Sequence, residues 1–255
     1  MNQVHSTPSV SVITGGARGI GAAFSRHLAE RGDAVVIADL LEVEGELLAK
    51  QLRSEGHTAV FRTLDVTDET SAQALAQFCA AEVGLVSVLV NNAALYQGLG
   101  EKRPFTEISV DQWDAVMRVN VRGPWLVSKA LFPHMAEGGY GRIINIASTT
   151  VHSGVPGFPH YVASKGAVIG MTRSLAREVG AAGVTVNAIA PGLVHNESSV
   201  TLNGDDYFPV AARSRAIPRS MEQTDLLGAL DFLTSPASSF VTGQTLVVDG
   251  GNVFS

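Results

Sequence analysis

The sequence predicts an α/β fold: a single doubly wound domain, with a parallel sheet of about seven strands and helices on both faces. Short apolar runs alternate along the chain with longer segments of helical periodicity. The runs are apolar throughout, which is typical of strands buried on both faces. The 255 residues contain no repeat and no Pro/Ser-rich linker, so one core accounts for residues 1–255.

The predicted strands are separated by segments long enough for a crossover helix. They are residues 9–14, 34–39, 58–64, 86–91, 142–148, 184–190 and 245–249. Helical patterns lie between them, such as "GIGAAFSRHLAERG" and "DQWDAVMRVNVRGPWLVSKALFPHM". This alternation predicts right-handed βαβ units, in which ligands bind beyond the carboxyl ends of the strands. Residues with useful chemistry are therefore expected just after a strand or on the helix that follows it.

Composition and charge narrow the possible functions. The net charge is −6, and phosphate binding needs a basic face, so nucleic acid is not an expected partner. The only cysteine, Cys79, lies in an Ala-rich helical stretch and is predicted to be a small core residue. No signal-peptide pattern and no run of ~18 apolar residues occurs, so we expect a cytoplasmic protein without a membrane partner. No cluster of residues has metal-ligand spacing.

The segment "TGGARGIG" joins the first predicted strand to the first helix. Gly15, Gly19 and Gly21 follow the spacing G-x-x-x-G-x-G, and Arg18 and Ile20 lie among them. Glycines allow a tight turn and let a pyrophosphate approach the N–H groups at a helix N-terminus. Directly after the first strand, the motif predicts a dinucleotide site. The alternative is a glycine-rich turn that binds nothing.

Asp39 ends the second predicted strand and indicates which dinucleotide binds. A carboxylate at this place accepts hydrogen bonds from the ribose hydroxyls of NAD and repels a 2′-phosphate. Arg18 could bind a 2′-phosphate, but Leu40 follows Asp39 where a second cation would be needed. We therefore predict NAD as the cofactor. The alternative for Asp39 is a turn or a helix cap.

Tyr161 and Lys165 are spaced i, i+4 in "HYVASKGAV", so they share one helix face. A free tyrosine has a pKa of ~10, and lowering it to ~7 needs ~4 kcal/mol. A lysine charge ~5 Å away contributes roughly 3 kcal/mol at an effective dielectric of ~20. With the positive nicotinamide ring supplying the rest, Lys165 makes Tyr161 a usable acid and base. The alternative is a core tyrosine beside a snorkelling lysine.

Two further polar residues lie where chemistry is expected. Ser148 closes the fifth predicted strand, and its hydroxyl could hold a substrate oxygen near the phenol, although Thr149 and Thr150 are adjacent. Asn120 lies four residues before Pro124, which has no N–H for the carbonyl of residue 120. That carbonyl could hold a water. The alternatives are a strand-end turn and an ordinary helix kink.

Together these motifs resemble the short-chain dehydrogenase/reductase family over nearly the whole chain. Its marks are "TGGARGIG", "NNAA" (91–94), Asn120, Ser148, Tyr161-x-x-x-Lys165 and "PG" (191–192). The resemblance implies a Rossmann-type fold, NAD(P)-dependent hydride transfer to or from an alcohol or carbonyl, and a homotetramer. It also selects Ser148 over its threonine neighbours and gives Asn120 a role in linking water to the active-site lysine.

The resemblance implies further cofactor contacts. Asp65 and Val66 would flank the adenine, Asn91 and Ala93 would line the cofactor floor, and residues 189–193 would border the nicotinamide. The family often has a threonine shortly after "PG", and Asn196 stands at about that place. The expected cofactor-binding residues are Gly15, Arg18, Gly19, Ile20, Gly21, Asp39, Leu40, Asp65, Val66, Asn91, Ala93, Tyr161, Lys165, Pro191, Gly192 and Val194. The expected catalytic residues are Asn120, Ser148, Tyr161 and Lys165.

The connection after the sixth strand, residues 193–220, is long enough to be a lid over the substrate. Candidate pocket walls are Tyr96, His152, Val155, Phe158, Leu193, Tyr207 and Phe208. These predict a small, mostly apolar secondary alcohol or ketone, aromatic ones included. If an anionic substrate is preferred instead, one of Arg213, Arg215 and Arg219 is expected to bind it.

Two alternative functions remain at this point. A 3-oxoacyl-thioester reductase is favoured slightly by Arg18 and disfavoured by Asp39 and the acidic net charge. A nucleotide-binding sensor or structural subunit is disfavoured because a binding protein has no need of Asn120, Ser148, Tyr161 and Lys165 together.

Overall fold

The computed structural model describes residues 9–254 and contains seven strands. They are β1 (Val10–Thr14), β2 (Ala34–Asp39), β3 (Ala59–Thr63), β4 (Val86–Asn91), β5 (Gly141–Ile146), β6 (Val184–Pro191) and β7 (Thr245–Val248). All pair in parallel, in the order β3-β2-β1-β4-β5-β6-β7. The predicted seven-stranded parallel sheet is confirmed. The strand order reverses between β1 and β4, which is where ligands bind in such sheets.

Helices cover both faces of the sheet. They are α1 (Gly19–Glu30), α2 (Glu42–Ser54), α3 (Glu69–Phe78), α4 (Val110–Met117), α5 (Gly123–Gly138), α6 (Thr150–Ser153), α7 (Pro159–Val179), α8 (Glu197–Asn203), α9 (Tyr207–Ala212) and α10 (Leu227–Thr234). Neighbouring strand residues such as Val12 and Ile13 belong to different apolar layers, because successive side chains of a strand point to opposite faces. One layer packs on α3, α5 and α7, and the other on α1, α2 and α10.

The helical pattern before β5 is interrupted at Asn120. A π-helical turn, Arg118–Arg122, joins α4 to α5, and the N–H of Gly123 donates to the carbonyl of Arg118. Pro124 follows and has no N–H to offer the carbonyl of Asn120. The irregularity expected here is therefore present as a π turn, a feature frequent at functional sites.

Two simpler expectations concern the core and the membrane. Cys79 is fully buried, and burial raises the pKa of its thiol to about 12, in keeping with a small core residue. Over the described part of the chain, the helices are all too short or too polar to cross a bilayer.

Candidate active site

A cleft of about 610 Å³ opens at the carboxyl edge of the sheet. It is lined by every predicted catalytic and cofactor-binding residue except Gly21, Asn91 and Asn120. Within residues 9–254, no group of His, Cys, Asp and Glu side chains is arranged to hold a metal ion. The cleft has two ends, which differ in the elements that build them.

The first end is formed by the glycine loop between β1 and α1. Gly15 and Gly19 have φ values of +62° and +57°, a region that favours glycine. A Cβ on Gly21 would lie 2.0 Å from the carbonyl oxygen of Gly15, so Gly21 lets α1 pack against the loop without lining the cleft itself. A Cβ on Gly19 would meet nothing within 4 Å. The loop thus presents the N-terminus of α1 to the cleft, and this cradle fits a pyrophosphate.

The two asparagines of "NNAA" have different positions. The buried Asn91 amide donates to Asn145 Oδ1 (2.9 Å) and Ser128 Oγ (3.0 Å), so it lies beneath the wall and not on the expected cofactor floor. The amide of Asn92 donates to the carbonyls of Thr14 (3.1 Å) and Gly15 (3.0 Å) and lines the cleft. Asn92 therefore fixes the glycine loop to the end of β4. Ala93 lines the cleft as expected.

The carboxylates of this end lie just after β2 and β3. Asp39 accepts the N–H groups of Ala17 (3.0 Å) and Leu41 (3.2 Å), which fix its carboxylate beside the glycine loop. Asp65 accepts the N–H of Thr67 at 2.8 Å. Arg18 lines the same end. Strand ends and main-chain N–H groups therefore position the carboxylates at this end, which we call the cofactor end after its predicted ligand.

Three of the four predicted catalytic side chains, those of Ser148, Tyr161 and Lys165, meet in the middle of the cleft. Ser148 follows β5 and lies close enough to the Tyr161 phenol for its hydroxyl to lower the pKa of that phenol. The Ser148 oxygen also accepts the N–H (3.2 Å) and the hydroxyl (3.0 Å) of Thr150, so this threonine orients the serine. One turn beyond Tyr161 on α7, Lys165 donates from Nζ to the carbonyl of Ile146 at 2.7 Å. This ammonium lies 5.7 Å from the centroid of the Tyr161 ring.

Burial determines the pKa values of this pair. It raises the pKa of Tyr161 above its usual range, the neighbouring Tyr96 acts in the same direction, and the Ser148 hydroxyl opposes both. The Tyr96 and Tyr161 ring centroids are 5.4 Å apart. Burial lowers the pKa of Lys165 to about 8. With the protein groups alone the phenol is therefore neutral at physiological pH, so Lys165 does not by itself make Tyr161 a base.

Asn120 lies behind Tyr161 and Lys165, and it does not line the cleft. Its Oδ1 accepts the N–H of Leu95 at 2.7 Å, and its amide donates to Ser164 Oγ at 3.1 Å. The side chain thus connects the segment after β4 to α7, one residue before Lys165. Its expected role through a main-chain carbonyl and a water stays a prediction.

The second end of the cleft, which we call the substrate end, is lined mainly by apolar side chains: Leu95, Tyr96, Val155, Phe158, Leu193 and Tyr207. His152 is exposed on α6, and Phe208 packs edge-on against His195 with ring centroids 4.5 Å apart, so neither lines the cleft as expected. The segment 193–220 contains α8 and α9 and contributes Ser198, Asn203 and Tyr207 to the wall. Asn196 also lines the cleft, but its Oδ1 caps α8 by accepting the N–H of Ser199 at 3.0 Å.

A cation that the sequence did not single out also lies at the substrate end. Lys102 lines the cleft, with its Nζ 5.5 Å from the ring centroid of Tyr207 and 6.0 Å from that of Phe158. Among the arginines expected to bind an anion, Arg219 pairs with Asp225 at 2.5 Å. Arg215 donates to the carbonyls of Arg219 (2.7 Å) and Leu193 (2.8 Å). Arg213 does not line the cleft.

Comparison with known proteins gives consistent matches over the whole cleft. A family model described as enoyl-(acyl carrier protein) reductase matches residues 15–252. The cis-4-hydroxycyclohexanecarboxylate dehydrogenase of Sinomonas cyclohexanicum is 41% identical over 242 residues and is covered, like this chain, to 95%. The 5-keto-D-gluconate 5-reductase of Escherichia coli is 36% identical, with 98% of both chains covered. A crystal structure of a gluconate 5-dehydrogenase from Burkholderia cenocepacia, in complex with NADP and tartrate, superposes with a TM-score of 0.89 at 36% identity, covering 96% of this chain and 94% of that one.

Proposed function

Since the chain belongs to the short-chain dehydrogenase/reductase family, and is thus an oxidoreductase acting on an alcohol or ketone, we propose that it uses NAD and a small, mostly apolar, ring-bearing secondary alcohol or ketone. The observation that carries the proposal is the meeting of Tyr161, Ser148 and Lys165 in one cleft, between the glycine loop and an apolar pocket. The dehydrogenase from Sinomonas is named for a substrate that contains a cyclohexane ring, which supports a substrate ring of about that size here.

The chain's own residues divide the work as follows. The Gly15–Gly21 loop and the N-terminus of α1 hold the pyrophosphate, and Asp39 accepts the ribose hydroxyls. A bound nicotinamide supplies the hydride acceptor or donor. Ser148 holds the substrate oxygen, while Tyr161 takes the hydroxyl proton as the carbinol carbon loses its hydride. In the reverse direction Tyr161 returns that proton to the ketone oxygen. We also propose that the Asn120 carbonyl holds a water by accepting its hydrogen bond, and that this water passes protons between Lys165 and the solvent.

Electrostatics explain why Tyr161 reacts only in the loaded enzyme. A unit charge 5.7 Å away, the distance from Lys165 Nζ to the Tyr161 ring centroid, contributes about 3 kcal/mol at an effective dielectric of ~20. This corresponds to about two pKa units. Burial raises the pKa of Tyr161, so a further positive charge is needed, and oxidised nicotinamide carries one. This charge would favour the phenolate form of Tyr161, which is the form that takes the hydroxyl proton of the substrate and becomes the neutral phenol.

Asp39 supports NAD over NADP. Two main-chain N–H groups fix its carboxylate at the cleft wall, and Leu40 offers no countercharge to a 2′-phosphate. We expect kcat/KM to favour NAD, and the Asp39→Ala substitution to narrow that preference by about tenfold or more, because it removes a like-charge contact. Leu40→Ala serves as the matched control and should keep the preference. Equal or better turnover with NADP in the unmodified enzyme would contradict the assignment.

The reaction itself is tested by following NAD reduction over a matched panel of cyclohexanol, 1-phenylethanol, 2-butanol and a 3-hydroxyacyl thioester. Ring alcohols should exceed 2-butanol by more than about tenfold in kcat/KM, because each buried methylene contributes ~0.8 kcal/mol. A best rate with the thioester would favour the 3-oxoacyl-thioester reductase, which Arg18 in the cleft also allows. Tight NAD binding without turnover of any alcohol would favour the nucleotide-binding sensor or structural subunit.

Three expectations about the whole protein stay predictions. They are a homotetramer, which light scattering would test, a cytoplasmic location, and a single domain in which residues 193–220 close over the substrate.

A further inference from the structure

Lys102 stands out among the cations of the cleft because it has no other task. The cations that line the cleft in the described part of the chain are Arg18, Lys102, Lys165 and Arg215. Lys165 and Arg215 donate to main-chain carbonyls, and Arg18 belongs to the glycine loop. Lys102 makes no ion pair with any residue in the range 9–254. Among residues 9–254 it is thus the one cleft-lining cation at the substrate end that is available to a ligand.

The position of Lys102 is determined by its packing. A Cβ on Gly157 would lie 2.7 Å from Lys102 Cβ, and Gly157 has a φ of +86°, so only glycine allows this close approach. The adjacent N–H of Arg103 donates to the carbonyl of Gly157 at 3.5 Å. Beyond this contact, the Phe158 and Tyr207 rings hold the ammonium by cation–π interactions. The charge is therefore held at the cleft wall.

The charges around Lys102 favour an anion. Among the described residues that line the cleft, the carboxylates are Asp39 and Asp65, which follow β2 and β3 at the cofactor end. The wall nearest Lys102 instead offers apolar surface and the polar side chains of Ser198 and Asn203. A carboxylate bound here would meet one positive charge, and the nearby acids Glu101 and Asp206 do not line the cleft. Lys102 is exposed, so water screens part of that contact, and the adjoining apolar wall screens it less.

We propose that Lys102 determines specificity by binding a carboxylate of the substrate. The substrate is then a hydroxy acid, or its keto acid, in which an apolar ring or chain separates the carboxylate from the reacting carbon. This inference rests on the proposed function, because the hydroxyl must reach Tyr161. It modifies the expectation of selection by apolar shape alone: the body of the substrate is apolar, and its far end is anionic. The anion-binding residue is Lys102 and not a lid arginine.

The experiment compares two probes that share one ring, cis-4-hydroxycyclohexanecarboxylate and its neutral carboxamide. The unmodified enzyme should favour the acid by roughly tenfold or more in kcat/KM, as expected of a charge-assisted contact. Lys102→Met should bring this ratio near one, mainly through KM for the acid, because the cation lies away from the reacting atoms. Lys102→Arg should retain most of the ratio.

Arg103→Met is the matched control, because Arg103 carries the same charge one residue away and does not line the cleft. It should keep the acid-to-amide ratio. If Arg103→Met lowered the acid-to-amide ratio as much as Lys102→Met, the preference would come from the general positive charge of this surface and not from a contact with Lys102. A ratio that survives Lys102→Met, or an unmodified enzyme without preference for the acid, would overturn the proposal.

Calorimetry separates this proposal from the proposed function. The affinities of the acid and the amide are measured for each variant saturated with NADH, which needs no turnover. If no alcohol is turned over but the acid binds with an affinity that depends on Lys102, the proposed function fails and the carboxylate site stands. With turnover but equal affinities for the two probes, the proposed function stands and the carboxylate site fails. Failure of both probes to bind also overturns the site.

Discussion

The two ends of the cleft are built by different means. At the cofactor end, main-chain geometry sets the positions: Gly15 and Gly19 turn the chain, and N–H groups hold Asp39. At the substrate end, side chains from distant segments meet, as Lys102 does with Phe158 and Tyr207. In the proposed function, the first end binds the nicotinamide cofactor that the family shares, and the second binds a substrate that differs among relatives. The comparison teaches that a shared fold fixes the cofactor chemistry, whereas the substrate depends on loops that the fold leaves free to vary.

The largest effect is expected at the boundary between the two ends. Tyr161→Phe should lower kcat by roughly a thousandfold, because it removes the group that we propose transfers the proton. NADH affinity, followed by its fluorescence, should change little, since the ring still packs. Tyr96→Phe is the matched control: this phenol is 5.4 Å away between ring centroids, and burial also raises its pKa. It should cost less than about tenfold in kcat. Similar losses in both variants would show that Tyr161 is only structural.

The next effect separates the cofactor end from the substrate end. In Gly21→Ala the new Cβ meets the Gly15 carbonyl oxygen at 2.0 Å, so the loop must move. Overpacking of this kind costs about 1–3 kcal/mol, and we expect NADH to bind ~10- to 100-fold more weakly. Titration of NADH fluorescence measures the loss.

Gly170→Ala provides the control for the glycine substitution. It lies in the middle of α7 with nothing within 4 Å of an added Cβ. It should leave NADH affinity unchanged and stabilise the helix by about 0.5–1 kcal/mol. Normal NADH binding by Gly21→Ala would mean that the loop tolerates a side chain and that its glycines do not shape the site.

The two ends of the cleft also differ in how much of their structure the sequence predicted. Strands apolar on both faces predicted the sheet, strand ends then located Asp39 and Ser148, and the family resemblance added Asp65. All three residues line the cleft. The choice between Asn91 and Asn92 was not available from the sequence, because adjacent residues at a strand end face opposite ways and nothing in "NN" fixes which one. The resemblance pointed to Asn91, whereas Asn92 holds the loop.

The substrate end was less predictable for a physical reason. Lys102 is one of several charged residues in a polar loop, and its place depends on Gly157, 55 residues later in the sequence. No local periodicity encodes such a contact. Ring-bearing residues of the lid gave a partial signal: Tyr207 lines the cleft, whereas Phe208 turns toward His195. Helix α9 presents only one of its two adjacent aromatic residues to the cleft. With six residues the helix is too short for its periodicity to predict which of the two faces inward.

A third prediction uses stability to test the cost of the buried cation. The pKa of Lys165 is about 8 in the folded protein, against an ordinary value of 10.5. Between these values the unfolded chain binds more protons, so the free energy of unfolding should rise with pH across this window and be lowest below it. Lys165→Met should remove this rise.

At neutral pH the same substitution should stabilise the fold. Relief of the buried charge is worth at most about 3 kcal/mol, and loss of the bond to the Ile146 carbonyl costs ~1 kcal/mol, so we expect a gain of about 1–2 kcal/mol. Urea denaturation near pH 7 and near pH 9.5 measures both effects. Lys129→Met, at a surface lysine paired with Glu69, should change stability by less than ~0.5 kcal/mol. A pH-independent loss of stability in Lys165→Met would show that the lysine stabilises the fold.

The smallest effect should be confined to the substrate end. Val155 lines the cleft with its side chain half-buried, so Val155→Ala removes two methyl groups from the wall without touching the glycine loop. Full burial of two methylenes is worth ~1.6 kcal/mol, and a half-buried wall should deliver about half of that, a few-fold in affinity. We therefore expect KM for cyclohexanol to rise about threefold. KM for 2-butanol, which reaches less of the wall, should rise less, and NADH affinity should stay constant. A constant NADH affinity would show that substrate binding at one end of the cleft is independent of cofactor binding at the other. A matching loss of NADH affinity would mean that the loop carrying Val155 also supports the cofactor, and the division between a main-chain-built end and a side-chain-built end would have to move toward Tyr161.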